Sequence, residues 1–429
     1  MEENMKLYKA EMWDKMQYLF RNYYNRMMHT AYFYSGTLDE DILAKSFMAV
    51  LGKVDVLHST YHNDPIKPYW TINNDYKAED FFALIETDSP IEELDKLMGD
   101  TLSAQGKVQF KARLIRSNGK DILGVIVNHM CFDGTDLRYF NMKVLEAYNK
   151  YFECGSFDVE VKNGTRSADQ VYSKLSDEDR KIAKGLFKNI TEEDSKIAFP
   201  FAKKTKEDHC RLIREKLSAE DFLAVKAKGK ANGATINDVL VAAYFRALYK
   251  KIDTKGKAIT VPCMYDLRRY MGGETYGLTN LIGFMPCTVP ADYGKDMDET
   301  VLKVKEALKG AKEDRFTGLY SLPLLKLAYT ILPHCISEIA IRIGYTNPYI
   351  GMSNIGVINP KDYAVNGLTL EDAFMSGAIK YKPYMQLALT TFQNEVTFSI
   401  GIRGNDEDEK IFRAFMLDVI KELKDYAKA

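Results

Sequence analysis

The chain holds six histidines (His29, His58, His62, His129, His209 and His334), and only His129 is followed four residues later by an aspartate and then a glycine. That segment reads His129-Met130-Cys131-Phe132-Asp133-Gly134. An imidazole titrates near neutral pH and can take a proton from an attacking hydroxyl or amine, which makes His129 a candidate general base. Asp133 and Gly134 would then set its surroundings. The bland alternative is a histidine that ends a buried strand against a backbone carbonyl, with Asp133 as an ordinary helix cap. Cys131 offers a rival nucleophile, but nothing in the sequence places a cation or a helix N-terminus against its thiol. The other cysteines (Cys154, Cys210, Cys263, Cys287 and Cys335) are scattered without a Cys-x-x-Cys pair, so neither a metal site nor a disulfide framework is expected.

The elements that must position this segment are clear. Residues 108–117 alternate, with Val108, Phe110, Ala112 and Leu114 on one face, and Asn118-Gly119 supplies the dipeptide best suited to a type I′ turn. Residues 120–129 return as a nearly continuous apolar strand, the pattern of burial on both faces. After Gly134, Leu137, Phe140, Val144, Leu145 and Tyr148 repeat at helical spacing. His129 is thus predicted where a buried strand gives way to a loop before a helix. Such places suit catalytic groups, because a rigid strand fixes them while the loop leaves them reachable.

Elsewhere, residues 31–36 read as a strand. Thr37-Leu38-Asp39-Glu40 reads as a capping box opening a helix, and Thr235 with Asp238 as another. Pro323 and Pro333 are expected to break or kink the apolar helical stretch 319–344. Strands are expected at 258–267, 281–290, 350–356 and 387–404, before a closing helix at 409–427. With 429 residues the chain exceeds the usual size of one hydrophobic core. The division expected is an N-terminal half at 1–175, a connection at 176–205 and a C-terminal half at 206–429. The 59 basic and 60 acidic side chains leave a net charge of -1, which gives no general field for nucleic acid. No apolar run approaches the roughly 20 residues of a membrane span, and the first residues lack a signal-peptide core, so a cytoplasmic location is expected.

His129-x-x-x-Asp133-Gly134 after an apolar strand resembles the signature of the superfamily that contains condensation domains of non-ribosomal peptide synthetases and chloramphenicol acetyltransferase. Four further segments are similar to that superfamily in the right order: residues 233–248, Asp266-Leu267-Arg268, Asn280 with Gly283, and Ser353-Asn354-Ile355-Gly356. The resemblance implies an α/β fold of two chloramphenicol acetyltransferase-like α+β sandwich halves in a V, with a tunnel between them. It implies acyl transfer from a thioester, on coenzyme A or carrier-protein phosphopantetheine, to a small-molecule alcohol or amine. His129 matches the reacting histidine. Asp133 and Gly134 match its structural support, and Arg268 is the expected partner of Asp133. Asn280, Ser353 and Asn354 are candidates for contact with the substrate or its oxyanion, though for Ser353 and Asn354 a turn without a ligand is an equal reading.

One position departs from condensation domains: they usually carry a second histidine just before the reacting one, where this chain has Asn128. The departure points to a stand-alone acyltransferase, and no carrier, adenylation or thioesterase segment is evident beside it. Since both halves lie in one chain, a monomer is expected. The competing reading is a non-catalytic condensation-like module that binds a carrier protein or another partner.

Overall fold

The computed structural model describes residues 7–187, 196–273, 277–345 and 347–429. Part of the expected connection, 188–195, lies outside the described residues. The first large sheet has five strands in the order Leu370–Ser376, Met27–Tyr34, Lys120–Asn128, Phe110–Ser117 and Phe82–Glu86. All neighbours are antiparallel except the last pair. The central hairpin closes through Ser117 opposite Lys120, with φ of 50° at Asn118 and 73° at Gly119. Those left-handed values are what the Asn-Gly dipeptide tolerates at least cost.

Lys120–Asn128 is buried at every position after Lys120, as its unbroken apolar run requires. Phe47, Val50, Leu137, Phe140 and Val144, from helices Glu40–Leu51 and Gly134–Cys154, cover the face carrying Leu123, Val125 and Val127. Leu94, Leu97 and Met98 of helix Pro90–Gly99 cover Ile122 and Ile126 on the other face. A small sheet of Leu7–Lys9, Tyr69–Ile72 and Ser59–His62 flanks this layer. The helix at Glu40 starts later than its sequence suggests: Asp39, not Thr37, is the cap, its side chain accepting from Ile42 N. The reason is Leu38, which is buried and whose N–H donates to Asp121 Oδ2 at 2.7 Å, so that the chain is already committed before the helix begins.

The second sheet runs Ile282–Val289, Ile259–Asp266, Ile350–Ile358, Met385–Phe392, Glu395–Gly404 and Lys380–Tyr381, with His209–Leu217 also paired to Glu395–Gly404. Helices Ala219–Ala231, Ile236–Lys251, Met297–Glu313 and Asp406–Lys428 share its core. The Thr235 box forms, Thr235 N donating to Asp238 Oδ2 at 3.0 Å and Asp238 N to Thr235 Oγ1 at 3.2 Å. The two prolines behave differently. Pro333 separates helix Leu322–Ile331 from helix His334–Gly344, whereas Pro323 lies in the first turn of Leu322–Ile331. There a missing N–H costs nothing, so Pro323 opens a helix instead of breaking one.

The two layers share a strand. Leu370–Ser376 comes from late in the chain, yet it forms the edge of the first sheet beside Met27–Tyr34. It also touches the second sheet, where Thr390 Oγ1 donates to Met375 O at 2.6 Å and Met375 N donates back to Thr390 Oγ1 at 3.2 Å.

Candidate functional site

His129 follows the central strand directly, and its N–H donates to Arg26 O at 2.7 Å, continuing the pairing with the neighbouring chain. Its ring sits in a tight turn: Nδ1 lies 3.0 Å from Phe132 O. A carbonyl only accepts, so Nδ1 carries the proton and Nε2 keeps its lone pair. Asn280 Nδ2 lies 2.6 Å from His129 O and 3.3 Å from Nδ1. Since Nδ1 is already a donor, the shorter contact to the carbonyl is the hydrogen bond. Asn280 therefore holds the backbone of His129. Burial pulls the imidazole below its ordinary pKa; the Asp133 carboxylate works against that, and the nearby Lys380 ammonium adds to it. The ring is therefore neutral at pH 7, the state a base requires.

Asp133 borders the cavity, with both carboxylate oxygens engaged in a buried network. It caps helix Gly134–Cys154, its Oδ1 accepting from Thr135 N at 3.0 Å and Asp136 N at 3.3 Å. Its Oδ2 accepts from Arg268 Nη1 and from Leu281 N, each at 2.8 Å. Arg268 also reaches Asp136 at 2.9 Å and Asp266 at 3.1 Å, and donates to Thr279 O at 3.3 Å. Burial lowers the guanidinium pKa, but the carboxylates of Asp133 and Asp136 more than reverse it and hold the charge. Burial, reinforced by Asp133, pushes Asp136 up. One charge pair thus pins the loop after His129 to the strand end Asp266 and to the chain at 279–281. Removing one partner of such a buried pair costs about 3–5 kcal/mol, because the other charge is left without compensation.

Two neighbours complete the loop. Asn128 is fully buried; its Nδ2 donates to Gln109 Oε1 at 2.8 Å, and its Oδ1 accepts from Met130 N at 3.1 Å. It is a turn-building residue with its polar groups satisfied. Arg166 donates to Cys131 O at 2.7 Å and pairs with buried Asp14. Cys131 itself is fully buried, and burial pushes its thiol far above the ordinary range. A thiol so placed supplies no thiolate nucleophile.

A cavity of about 310 Å³ brings the sequence candidates together. His129, Asp133, Gly134, Asn280, Ser353 and Asn354 all line it, while Arg268 stands behind the wall. Ser353 and Asn354 belong to strand Ile350–Ile358, which bulges between Asn354 and Gly356. The Asn354 amide donates to Asn237 Oδ1 at 3.1 Å, and its oxygen accepts from Gly356 N at 3.1 Å. Among the described residues nothing bonds the Ser353 side chain, so its hydroxyl is the group available to a ligand. The rest of the wall is largely apolar and aromatic: Trp13, Phe20, Tyr24, Met28, Met264 and Phe284 among others. Sequence reasoning missed these, and it missed Lys380 and Gln386 on the same wall. Their spacing carries no signal, since residues far apart in the chain meet only in the fold. Among the described residues no cluster of His, Cys, Asp and Glu is arranged to hold a metal ion.

No protein-family model matches the chain, and no curated protein matches it in sequence. Solved structures do match along its whole length. The epimerization domain from the third module of tyrocidine synthetase B is 14% identical, with a TM-score of 0.69, covering 100% of this chain and 98% of that one. The first condensation domain of the calcium-dependent antibiotic synthetase, bound to a substrate analogue, is 15% identical with a TM-score of 0.69, covering 99% and 97%. The trichothecene 15-O-acetyltransferase of Fusarium sporotrichioides is 13% identical with a TM-score of 0.68, covering 98% and 95%. The mixed α/β fold is therefore one shared with an epimerization domain, a condensation domain and an acetyltransferase, in line with the fold that the histidine motif implies.

Proposed function

We propose that this chain, which shares its fold with condensation domains and an acetyltransferase, moves an acyl group from a thioester to an alcohol or amine. The donor is coenzyme A or the phosphopantetheine of a carrier protein. The observation that carries the reading is the state of His129: Nδ1 is fixed on Phe132 O, and no described residue bonds Nε2, the basic nitrogen of a side chain that lines the cavity.

In this reaction Nε2 removes the proton from the acceptor as its oxygen or nitrogen attacks the thioester carbonyl. The tetrahedral oxyanion collapses, the C–S bond breaks, and the imidazolium returns its proton to the departing thiolate. A positioned base supplies about 10²–10⁴-fold, and orientation supplies much of the remainder. Asn280 is the positioning residue, through the His129 carbonyl. The Ser353 hydroxyl is the donor proposed for the oxyanion, a role worth about 10²–10³-fold where such a donor has been removed elsewhere.

The test is acyl transfer from acyl-coenzyme A and acyl-pantetheine to a panel of alcohols and amines, comparing wild type with His129→Ala. Product from the wild type and a loss of about 10²-fold or more in the variant support the reading. Ligand binding that survives the substitution, with no product from either protein, would assign the chain to non-catalytic binding instead.

A further inference from the structure

Lys380 occupies an unusual position in this site. It sits on the two-residue strand Lys380–Tyr381, which pairs with Glu395–Gly404 on one side and meets Tyr24 on the other. Asn25 N donates to Ile379 O at 3.0 Å and Tyr381 N to Tyr23 O at 2.9 Å, so both flanks of Lys380 are fixed. Two residues beyond Tyr24, Arg26 O accepts from His129 N. Two extended residues span at most about 7 Å, which puts Lys380 on the wall next to the reacting histidine.

The Lys380 side chain is half-buried and lines the cavity. Its Nζ lies 3.7 Å from the centre of the Tyr24 ring, and no carboxylate pairs with it among the described residues. Burial lowers its pKa to about 7. A buried ammonium without an anion is costly, and stable proteins pair such charges. The acids that line the cavity, Asp133 and Asp266, are both bound to Arg268.

Lys380 also lines a side pocket of about 80 Å³ that opens beside the cavity, with Asn347, Gln386, Tyr345 and Tyr384. The side-chain amides of Asn347 and Gln386 make no hydrogen bond to a described residue, and no acidic residue lines the pocket. The space equals a few water molecules at about 30 Å³ each, enough for one small polar group. One cation, two free amides and two phenols around such a volume match a carboxylate.

We infer that Lys380 and this side pocket form the subsite for a carboxylate carried by one of the two substrates, close to the reacting carbon. The inference rests on the acyl-transfer reading for its substrates. Coenzyme A phosphates do not meet the need, because the pantetheine arm holds them far from the thioester. The carboxylate belongs either to the acceptor, as in an amino or hydroxy acid, or to the far end of a dicarboxylic acyl group.

The binding test uses the full chain and an isosteric pair of probes, 3-phenylpropanoate and 3-phenylpropanamide, titrated calorimetrically at about pH 6, where Lys380 is charged. Wild type is expected to bind the carboxylate about tenfold more tightly or better, as a charge-assisted bond requires. Lys380→Met removes that preference and leaves amide affinity within about twofold; Lys380→Arg retains part of it. Should Lys380→Met fail to fold, Gln386→Ala with Asn347→Ala must weaken the carboxylate more than the amide. A wild type that binds the two probes equally, or neither, or a Lys380→Met protein that keeps the preference, overturns the subsite.

The source is read from transfer assays that compare succinyl- with butyryl-coenzyme A, and glycine with glycinamide. The pair whose ratio collapses in Lys380→Met identifies the substrate that carries the carboxylate. His129→Ala is expected to keep the calorimetric preference. No product from any pair with that preference intact would therefore defeat the acyl-transfer reading while leaving the subsite standing.

Discussion

At the residue scale, the site depends on which protonation states its two half-buried bases adopt. His129 has its pKa lowered first by burial, and the Lys380 charge lowers it further. A base works only when unprotonated, so kcat/KM should rise with pH and level off once pH passes the His129 pKa, which lies below the ordinary 6.5. The half-maximal point on that acidic limb is the quantity to measure. Lys380→Met takes away a repelling charge, so the imidazole becomes easier to protonate and the limb moves to higher pH. A purely structural role for Lys380 would alter stability or overall rate and leave the limb in place. Desolvation acts in the same direction on both groups, and each proton that binds to one disfavours the proton on the other.

At the scale of elements, the strand that follows Asn280 is the sensitive part. Ile282–Val289 runs beside Gly318, and a Cβ on Gly283 would stand 2.7 Å from Gly318 Cα, with the Gly318 carbonyl oxygen closer still. Backbone cannot yield as a side-chain tip can. Gly283→Ala should therefore cost about 1–3 kcal/mol in urea unfolding, the usual effect of overpacking. Because Asn280 lies three residues away, activity should fall as well; unchanged stability would mean that the 318 loop moves freely. The same region shows what a sequence can and cannot disclose. The hairpin of 108–128 was legible, since strict alternation and Asn118-Gly119 leave it one register. The pairing of Asp133 with Arg268 was accessible only through the resemblance, as 135 residues separate the two. Leu370–Ser376 carries no strand signal of its own, because LEDAFMS lacks clear alternation and its partner strand lies more than 300 residues earlier. Lys380 looked like any other lysine in GAIKYKP; only the packing of Tyr24, Tyr345 and Tyr384 around it sets it apart.

At the scale of the whole molecule, neither layer is complete without the other. The first sheet takes its edge strand from Leu370–Ser376, and the Asp133 loop is neutralised by Arg268 from far down the chain. A fragment ending at residue 205 would lose both. Its Met27–Tyr34 strand would present a row of unpaired backbone groups and the buried side chains Ala31, Tyr32 and Tyr34, the kind of edge that associates with other chains. Asp133 would keep the Thr135 and Asp136 donors of its own helix but lose Leu281 N and its cation. The expected outcome is that residues 1–205 expressed alone aggregate or remain loosely packed, and that adding residues 206–429 restores a soluble, cooperatively unfolding complex. Size-exclusion chromatography and amide exchange on the 120–128 strand measure this directly, because that strand should be protected only when both pieces are present. A fragment that is monomeric, with the central strand protected against exchange, would instead mean that the first layer folds by itself and that Leu370–Ser376 adds only a removable edge. The distinction bears on the site, since His129 hangs from that central strand while Ser353 and Lys380 come from the other layer, and the proposed acyl transfer needs the two held at one distance.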